Sequence, residues 1–289
     1  MRRVIINADD FGINPIVTSE TIRLLKSGLI SSATVMANGK CLDDVRKASL
    51  DYPDASFGVH LCLTEFDSLT KSEVFKKYGI TDNNGCFIKK AIFSIKDYPT
   101  ELLEAVKAEL SAQIELVLSL GIKISHADSH HLSHTSLYAL KEVFIDVLNV
   151  YNINKVRIGG RVNVTDIIIN NIKRRIKKNS NSVELGKAMH LEGNNCKGSY
   201  YQRFRKLINT SKEHSAITAC YRHQFVTTDL FASYSEFINN GAKLPDNGTI
   251  ELMCHPGHPS ADYTLEIRNI EERLLDNFFS YSLISYNQL

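Results

Sequence analysis

The sequence predicts an α/β fold: a parallel sheet wrapped by helices, as a barrel or as a doubly wound sheet, in a single domain over 1–289. Two observations predict it. Short apolar, β-rich runs alternate with helical periodicities along the chain, which is the pattern of strand–helix–strand crossovers. Polar residues of unusual type also stand where those apolar runs stop, as they do at the carboxyl ends of parallel strands. No Pro/Gly/Ser-rich linker, internal repeat or low-complexity stretch divides the chain.

The first strand is the β-branched run Val4-Ile5-Ile6, followed by Asn7-Ala8-Asp9-Asp10-Phe11-Gly12. Two adjacent carboxylates repel each other, so the pair calls for a cation or a shared proton, unless it serves as an acidic helix cap. Asn14-Pro15 starts a helix, with proline in the first turn, that ends near Gly28. Ala33 to Met36 is a strand, Asp43 to Leu50 a short helix, and Phe57 to Leu63 a strand carrying His60. Residues 65–98 read as a loop insertion, with Asp82-Asn83-Asn84-Gly85 as a turn signal; a long excursion after a strand is often a functional loop. Leu103, Val106, Leu110, Ile114, Val117 and Leu118 mark a helix over Thr100 to Leu120, stopped by Gly121. Ile122 to Ser125 then reads as a strand. After His126 to His134, Leu137, Leu140, Phe144, Val147 and Leu148 carry a second long helix, and Lys155 to Ile158 a further strand.

The segment 161–212 is less legible. Its basic run Lys173 to Lys178 reads as a solvated face of a helix over Thr165 to Lys178. Ser215 to Tyr221 and Thr249 to Cys254 read as late strands, Asp229 to Asn239 and Leu265 to Phe279 as late helices.

Composition narrows the class of protein. With 43% hydrophobic and 23% charged residues the chain is an ordinary globular one, and a net charge of +2 is too slight to argue for nucleic acid or an anionic membrane surface, so neither is expected as a partner. The six cysteines are scattered, with no C-x-x-C spacing, so a reducing cytoplasm is expected. The apolar run before Asn7, Val4 to Ile6, is only three residues, far short of a signal-peptide core, and no run reaches transmembrane length.

Four segments distant in sequence converge if successive parallel strands end on one face. They are Asp9-Asp10, His60, the stretch His126 to His134 with four histidines in nine residues, and His255 before Pro256-Gly257. A carboxylate with two imidazoles leaves coordination positions open for water, the arrangement of a catalytic divalent metal. A single strand histidine would instead suit a satisfied core residue.

At these residues the chain resembles the carbohydrate deacetylase family called YdjC-like, whose best-known members are chitooligosaccharide deacetylases. The matching stretches are Asn7 to Gly12, Gly58 to Thr64, His126 to His130 and Glu251 to Pro256, in the family's order. The resemblance implies a (β/α) barrel-like fold, a distorted TIM-type barrel. It implies one divalent ion, Mg²⁺ or Zn²⁺, held by Asp10, His60 and His130, with Asp9 as catalytic acid/base and His255 as a second catalytic group. The implied activity is removal of N-acetyl groups from small oligosaccharides such as diacetylchitobiose. Leu132 stands where the family often has a further histidine, and 161–212 is a divergent segment.

The chemistry fits these residues. A cation lowers the pKa of bound water and polarises an acetamide carbonyl; Asp9 would take the proton, and His255 would protonate the departing amine or stabilise the oxyanion. Asp128 is expected to orient a ligand histidine, His131 to lie beside the site, and Arg157 to bind substrate or to form a structural ion pair. The rival expectations are another metal-dependent hydrolase, acting on a phosphoester or cyclic amide, and a sugar-binding protein without catalysis. Expected partners are a small oligosaccharide and, at most, a second copy of the chain as a homodimer.

Overall fold

The computed structural model describes residues 1–158, 216–240 and 246–289. Its strands are β1 (Arg2–Phe11), β2 (Ser32–Val35), β3 (Ser56–Leu61), β4 (Ala127–Ser129), β5 (Leu230–Ser233), β6 (Thr249–Cys254) and β7 (Tyr281–Leu283). They form one seven-stranded sheet in the order β4-β3-β2-β1-β6-β5, with β7 beside the first residues of β1. Every ladder is parallel. The sheet curves as a half-barrel. Isolated parallel bridges Ala127–Val156 and Lys155–Val226 carry the pairing from β4 toward the segment before β5. The barrel-like expectation holds in this distorted form.

Successive residues of a strand point to opposite faces, so pairs two apart share one. Along the concave face this parity collects Asn7 and Asp9 from β1, Ser32 and Thr34 from β2, Gly58 and His60 from β3, and Asp128 from β4. The register sets them side by side: Asn7 opposite Ser32, Thr34 opposite Gly58, His60 opposite Asp128. The convex face is apolar and packs under helices. Thr100–Ser119 buries Leu102, Val106, Leu110, Ile114 and Val117 against it, and Pro15–Lys26, capped by the Asn14 side chain, buries Val17, Leu24 and Leu25.

The lower end of the concave face is filled rather than open. Tyr286, just after β7, is fully buried and stacks on the His126 ring at a centroid distance of 3.6 Å. Gly58 makes room for this pair: a Cβ there would lie 2.5 Å from the His126 ring. His126 is therefore a core residue, and burial pushes its pKa down to about 3.

Several elements differ from the periodicity reading. The fourth strand is Ala127–Ser129 rather than Ile122 to Ser125, because Asp128 is neutralised by Arg157 and so enters the sheet. Residues 216–224 are helical, not a strand: Ile217 and Tyr221, four apart, are buried on one face. The expected helix from Asp229 begins only at Tyr234, since Leu230–Ser233 pairs with β6. The last helix is Ala261–Glu271, and β7 is a strand that the pattern did not predict. The second long helix is reduced to Lys141–Val150 after short turns. The divergent segment 161–212 and its basic helix lie outside the described residues. Among those residues no helix is long and apolar enough to cross a membrane.

The 65–98 excursion is packed. Phe75, Ile80, Phe87 and Ile92 are buried, and Glu109, on the long helix, accepts from Ser68 Oγ (2.8 Å), Leu69 N (3.0 Å) and Thr70 N (2.9 Å). Four residues along, Gln113 bonds Cys62 N and O at 2.8 and 2.7 Å, fixing the chain where β3 ends.

Candidate metal centre and its buried ion pairs

Asp9 and Asp10 are neighbours on one strand, yet both side chains reach the same site. A bulge makes this so. The β1–β2 register shifts between Ala8 and Phe11, and Asp10 takes φ +63, a left-handed conformation that Asp tolerates better than most residues. Both carboxylates are buried, at 3% exposure each.

Asp9 is gripped by Arg157. Nη1 donates to Oδ2 at 2.7 Å and Nη2 to Oδ1 at 2.6 Å, while Asn7 Nδ2 adds a bond to Oδ1 at 2.9 Å. Arg157 is fully buried and serves three carboxylates. Its Nε donates to Glu251 Oε1 at 2.7 Å, and Nη1 lies 2.7 Å from Asp128 Oδ2. Of the two roles expected for Arg157, the geometry is that of the ion pair. Burial pushes the Glu251 carboxyl up to about 7 despite Arg157, and its second oxygen accepts from the Tyr286 hydroxyl.

Asp10 is surrounded by imidazoles instead. His60 Nε2 lies 3.4 Å and His130 Nε2 3.8 Å from Oδ1, and His258 Nε2 donates to Oδ2 at 3.2 Å. Burial works against the Asp10 carboxylate, but His258, His60 and His130 outweigh it and hold its pKa well below the usual range. Asp128 orients His60: His60 Nδ1 donates to Asp128 Oδ1 at 2.6 Å, and Thr34 Oγ1 donates to Oδ2 at 3.2 Å. Burial lowers the His60 pKa, yet Asp128 and Asp10 lift it well above its ordinary value. Burial pushes His130 down to about 3.

These residues fit a divalent cation. Asp10 Oδ1 is buried and has no hydrogen-bond partner among the described residues, although two imidazole nitrogens face it. A buried, unsatisfied carboxylate oxygen is costly unless something positive meets it. Asp10 Oδ1 lies 3.4 Å from one imidazole nitrogen and 3.8 Å from the other, spacings that two ligands of one ion with bonds of about 2.0–2.2 Å can take. Asp9, His60 and Asp128 also place one ligand atom each within 4.8 Å of one another. There, however, Arg157 already holds both carboxylates, and a cation would face a fixed guanidinium.

His255 follows β6. Its Nδ1 is 3.7 Å from Glu266 Oε2, and its ring stacks on Tyr263 at 4.2 Å. Burial lowers its pKa, but Glu266, Asp9 and Asp10 together raise it above its ordinary value, which places it within the field of both aspartates. His131 bonds Thr64 Oγ1 through Nδ1 at 3.0 Å and is half-buried. His134 is elsewhere, between Ser129 Oγ and the Arg157 carbonyl, as a core residue.

Sequence reasoning missed His258, Glu251 and Thr64. His258 was findable as the fourth residue of His255-Pro256-Gly257-His258. Gly257, at φ +72, turns that segment so closely over the first helix that a Cβ would lie 2.8 Å from the Ile16 carbonyl oxygen. Glu251 lay inside an apolar strand, where only its partner explains it.

A family profile described as YdjC-like protein matches residues 3–281. Carbohydrate deacetylase 1 of Listeria innocua is 34% identical over 140 residues, 48% of this chain and 55% of the relative. The carbohydrate deacetylase of Thermoanaerobacter pseudethanolicus is 29% identical over 153 residues, 53% and 59% of the two chains. The chain thus spans little more than half the length of these curated relatives. A crystal structure from Enterococcus faecalis V583, of a protein provisionally named for cellobiose-phosphate cleavage, superposes with a TM-score of 0.65 at 21% identity. It covers 99% of this chain and 98% of that one, and the likeness is one of fold.

Proposed function

The chain belongs to the YdjC-like family, and from that premise we propose that it hydrolyses N-acetyl groups from acetylated amino sugars, with chitooligosaccharides such as diacetylchitobiose as the substrate class. The observation that carries the reading is the buried Asp10 Oδ1, without a hydrogen-bond partner among the described residues, facing His60 Nε2 and His130 Nε2. Asp10, His60 and His130 would hold one divalent ion, Mg²⁺ or Zn²⁺. When bound, the ion supplies Lewis acidity that makes water a better nucleophile and an amide carbonyl a better electrophile.

The chain's own residues supply the rest. Arg157 and Asn7 fix Asp9 in one orientation beside Asp10. Asp9 takes a proton from the attacking water, a contribution of roughly 10²–10⁴-fold. His255, whose proton is favoured by Glu266 and the two aspartates, gives one to the departing amine. Asp128 holds the His60 ring with Nε2 toward Asp10. The names of the aligned relatives support a carbohydrate substrate.

The test is acetate release from N-acetylated di- and trisaccharides by metal-loaded and by chelated protein. Release that depends on the metal is the expected result. No release from any N-acetylated amino sugar with Mg²⁺ or Zn²⁺ present would overturn the reading.

A further inference from the structure

Thr64 is fully buried two residues past Cys62, at the start of the 65–98 excursion, and its hydroxyl is shared by two histidines. Thr64 Oγ1 lies 2.9 Å from His130 Nδ1 and 3.0 Å from His131 Nδ1. A hydroxyl has one proton to give and two lone pairs to accept with, so it cannot donate to both rings. At least one of the two Nδ1 atoms therefore carries a proton. Cys62 Sγ is the other acceptor in reach, but it is a weak one at 3.9 Å, and its own proton goes to the Glu65 carbonyl at 3.2 Å. The buried Thr64 proton is best satisfied on a ring nitrogen.

Which ring receives it follows from the other end of His130. Its Nε2 faces Asp10 Oδ1, so a cation there needs that nitrogen unprotonated and the proton on Nδ1. We propose that Thr64 is a positioning residue that orders the protons of both histidines, with His130 Nδ1–H donating to Thr64 Oγ1 and Thr64 donating to His131 Nδ1. His130 then presents a lone pair to the metal position, and His131 carries its proton on Nε2. The hydroxyl makes the two tautomers opposite, so His131, half-buried and held at φ +56, becomes a fixed donor for a sugar oxygen. The backbone keeps the arrangement in place: Lys90 N donates to the Thr64 carbonyl at 3.0 Å, and Gln113 bonds the chain at Cys62. The inference rests on the reading of His130 as a metal ligand.

The test uses full-length ¹⁵N-labelled protein titrated with Zn²⁺, and long-range ¹H–¹⁵N correlation of the imidazoles. In the Zn²⁺-loaded wild type, His130 should be protonated at Nδ1 and His131 at Nε2. Thr64→Val, close to isosteric, should weaken Zn²⁺ binding 10–100-fold by calorimetry and return His131 to a mixture of tautomers; Thr64→Ser should restore both. The proposal is overturned if loaded wild type holds the His131 proton on Nδ1, a measurement that needs no variant. It is equally overturned if Thr64→Val binds Zn²⁺ within threefold of wild type, or if Thr64→Ser, folded by circular dichroism, does no better than Val. Failure of the metal reading shows separately, as wild type that binds neither Zn²⁺ nor Mg²⁺.

Discussion

Replacing Arg157 by Met tests the electrostatic argument most directly. The guanidinium is wholly buried, and its contacts with Asp9, Asp128 and Glu251 lie at 2.6–2.7 Å. Removing one member of a buried ion pair leaves an uncompensated charge and costs about 3–5 kcal/mol. Three carboxylates lose their partner here, but each keeps another donor: Asn7 for Asp9, His60 and Thr34 for Asp128, Tyr286 for Glu251. Glu251, already near 7, can also take up a proton. These compensations keep the expected loss within about 3–5 kcal/mol rather than a multiple of it. Arg157→Lys retains the charge without the fork, and losing charge-assisted bonds should cost about 1.5–3 kcal/mol. Urea unfolding at pH 7.5 reads both, with the slope of the unfolding line unchanged so that the difference lies in stability. If Arg157→Met stayed within about 1 kcal/mol of wild type, the three carboxylates would have to be protonated in the fold and the charge argument would be wrong.

The two adjacent aspartates should separate cleanly. Asp9→Asn keeps Zn²⁺ binding and lowers acetate release by roughly 10²–10⁴-fold, while Asp10→Asn loses the ion itself; equal effects on binding would refute the division. Glu109→Ala removes the acceptor for Ser68, Leu69 and Thr70, and limited proteolysis should then cut within 65–98 faster than in wild type. Acid stability reports His126, whose folded pKa of about 3 lies below its unfolded value near 6.5. The unfolded chain then takes up the proton first, so the contribution is present in full above about pH 6.5 and is lost as pH falls toward 3. Between pH 7.5 and 5, wild type should lose about 2 kcal/mol more than His126→Phe, which keeps an aromatic ring against Tyr286. Parallel stability curves would contradict this.

Much of the site was legible from residue type and position alone. Val4-Ile5-Ile6 before Asp9-Asp10, His60 within an apolar run, and His255 at the end of another mark strand ends in a parallel fold, where side chains converge whatever the details. Helical spacing from Leu103 to Val117 likewise placed the long helix, because one buried face is a local property of the sequence. Residues 216–224 and β7 failed that reading since short apolar runs suit a strand or a helix equally, and the neighbours that choose between them are remote.

Which polar residues hold one another depends on the packed fold. Adjacent aspartates would point to opposite faces of a regular strand; the bulge at Asp10 turns both inward, and nothing in Asp9-Asp10 itself announces it. Arg157 is 148 residues from Asp9 and 94 from Glu251, and His258 is 248 from Asp10. Coulomb and hydrogen-bond energies depend on distances of a few ångströms in a buried setting, and sheet register fixes those distances. Residue order alone fixes the chemical groups and the end of the sheet where they gather; the register decides that Arg157 binds Asp9 and that Asp10 Oδ1 faces His60 and His130.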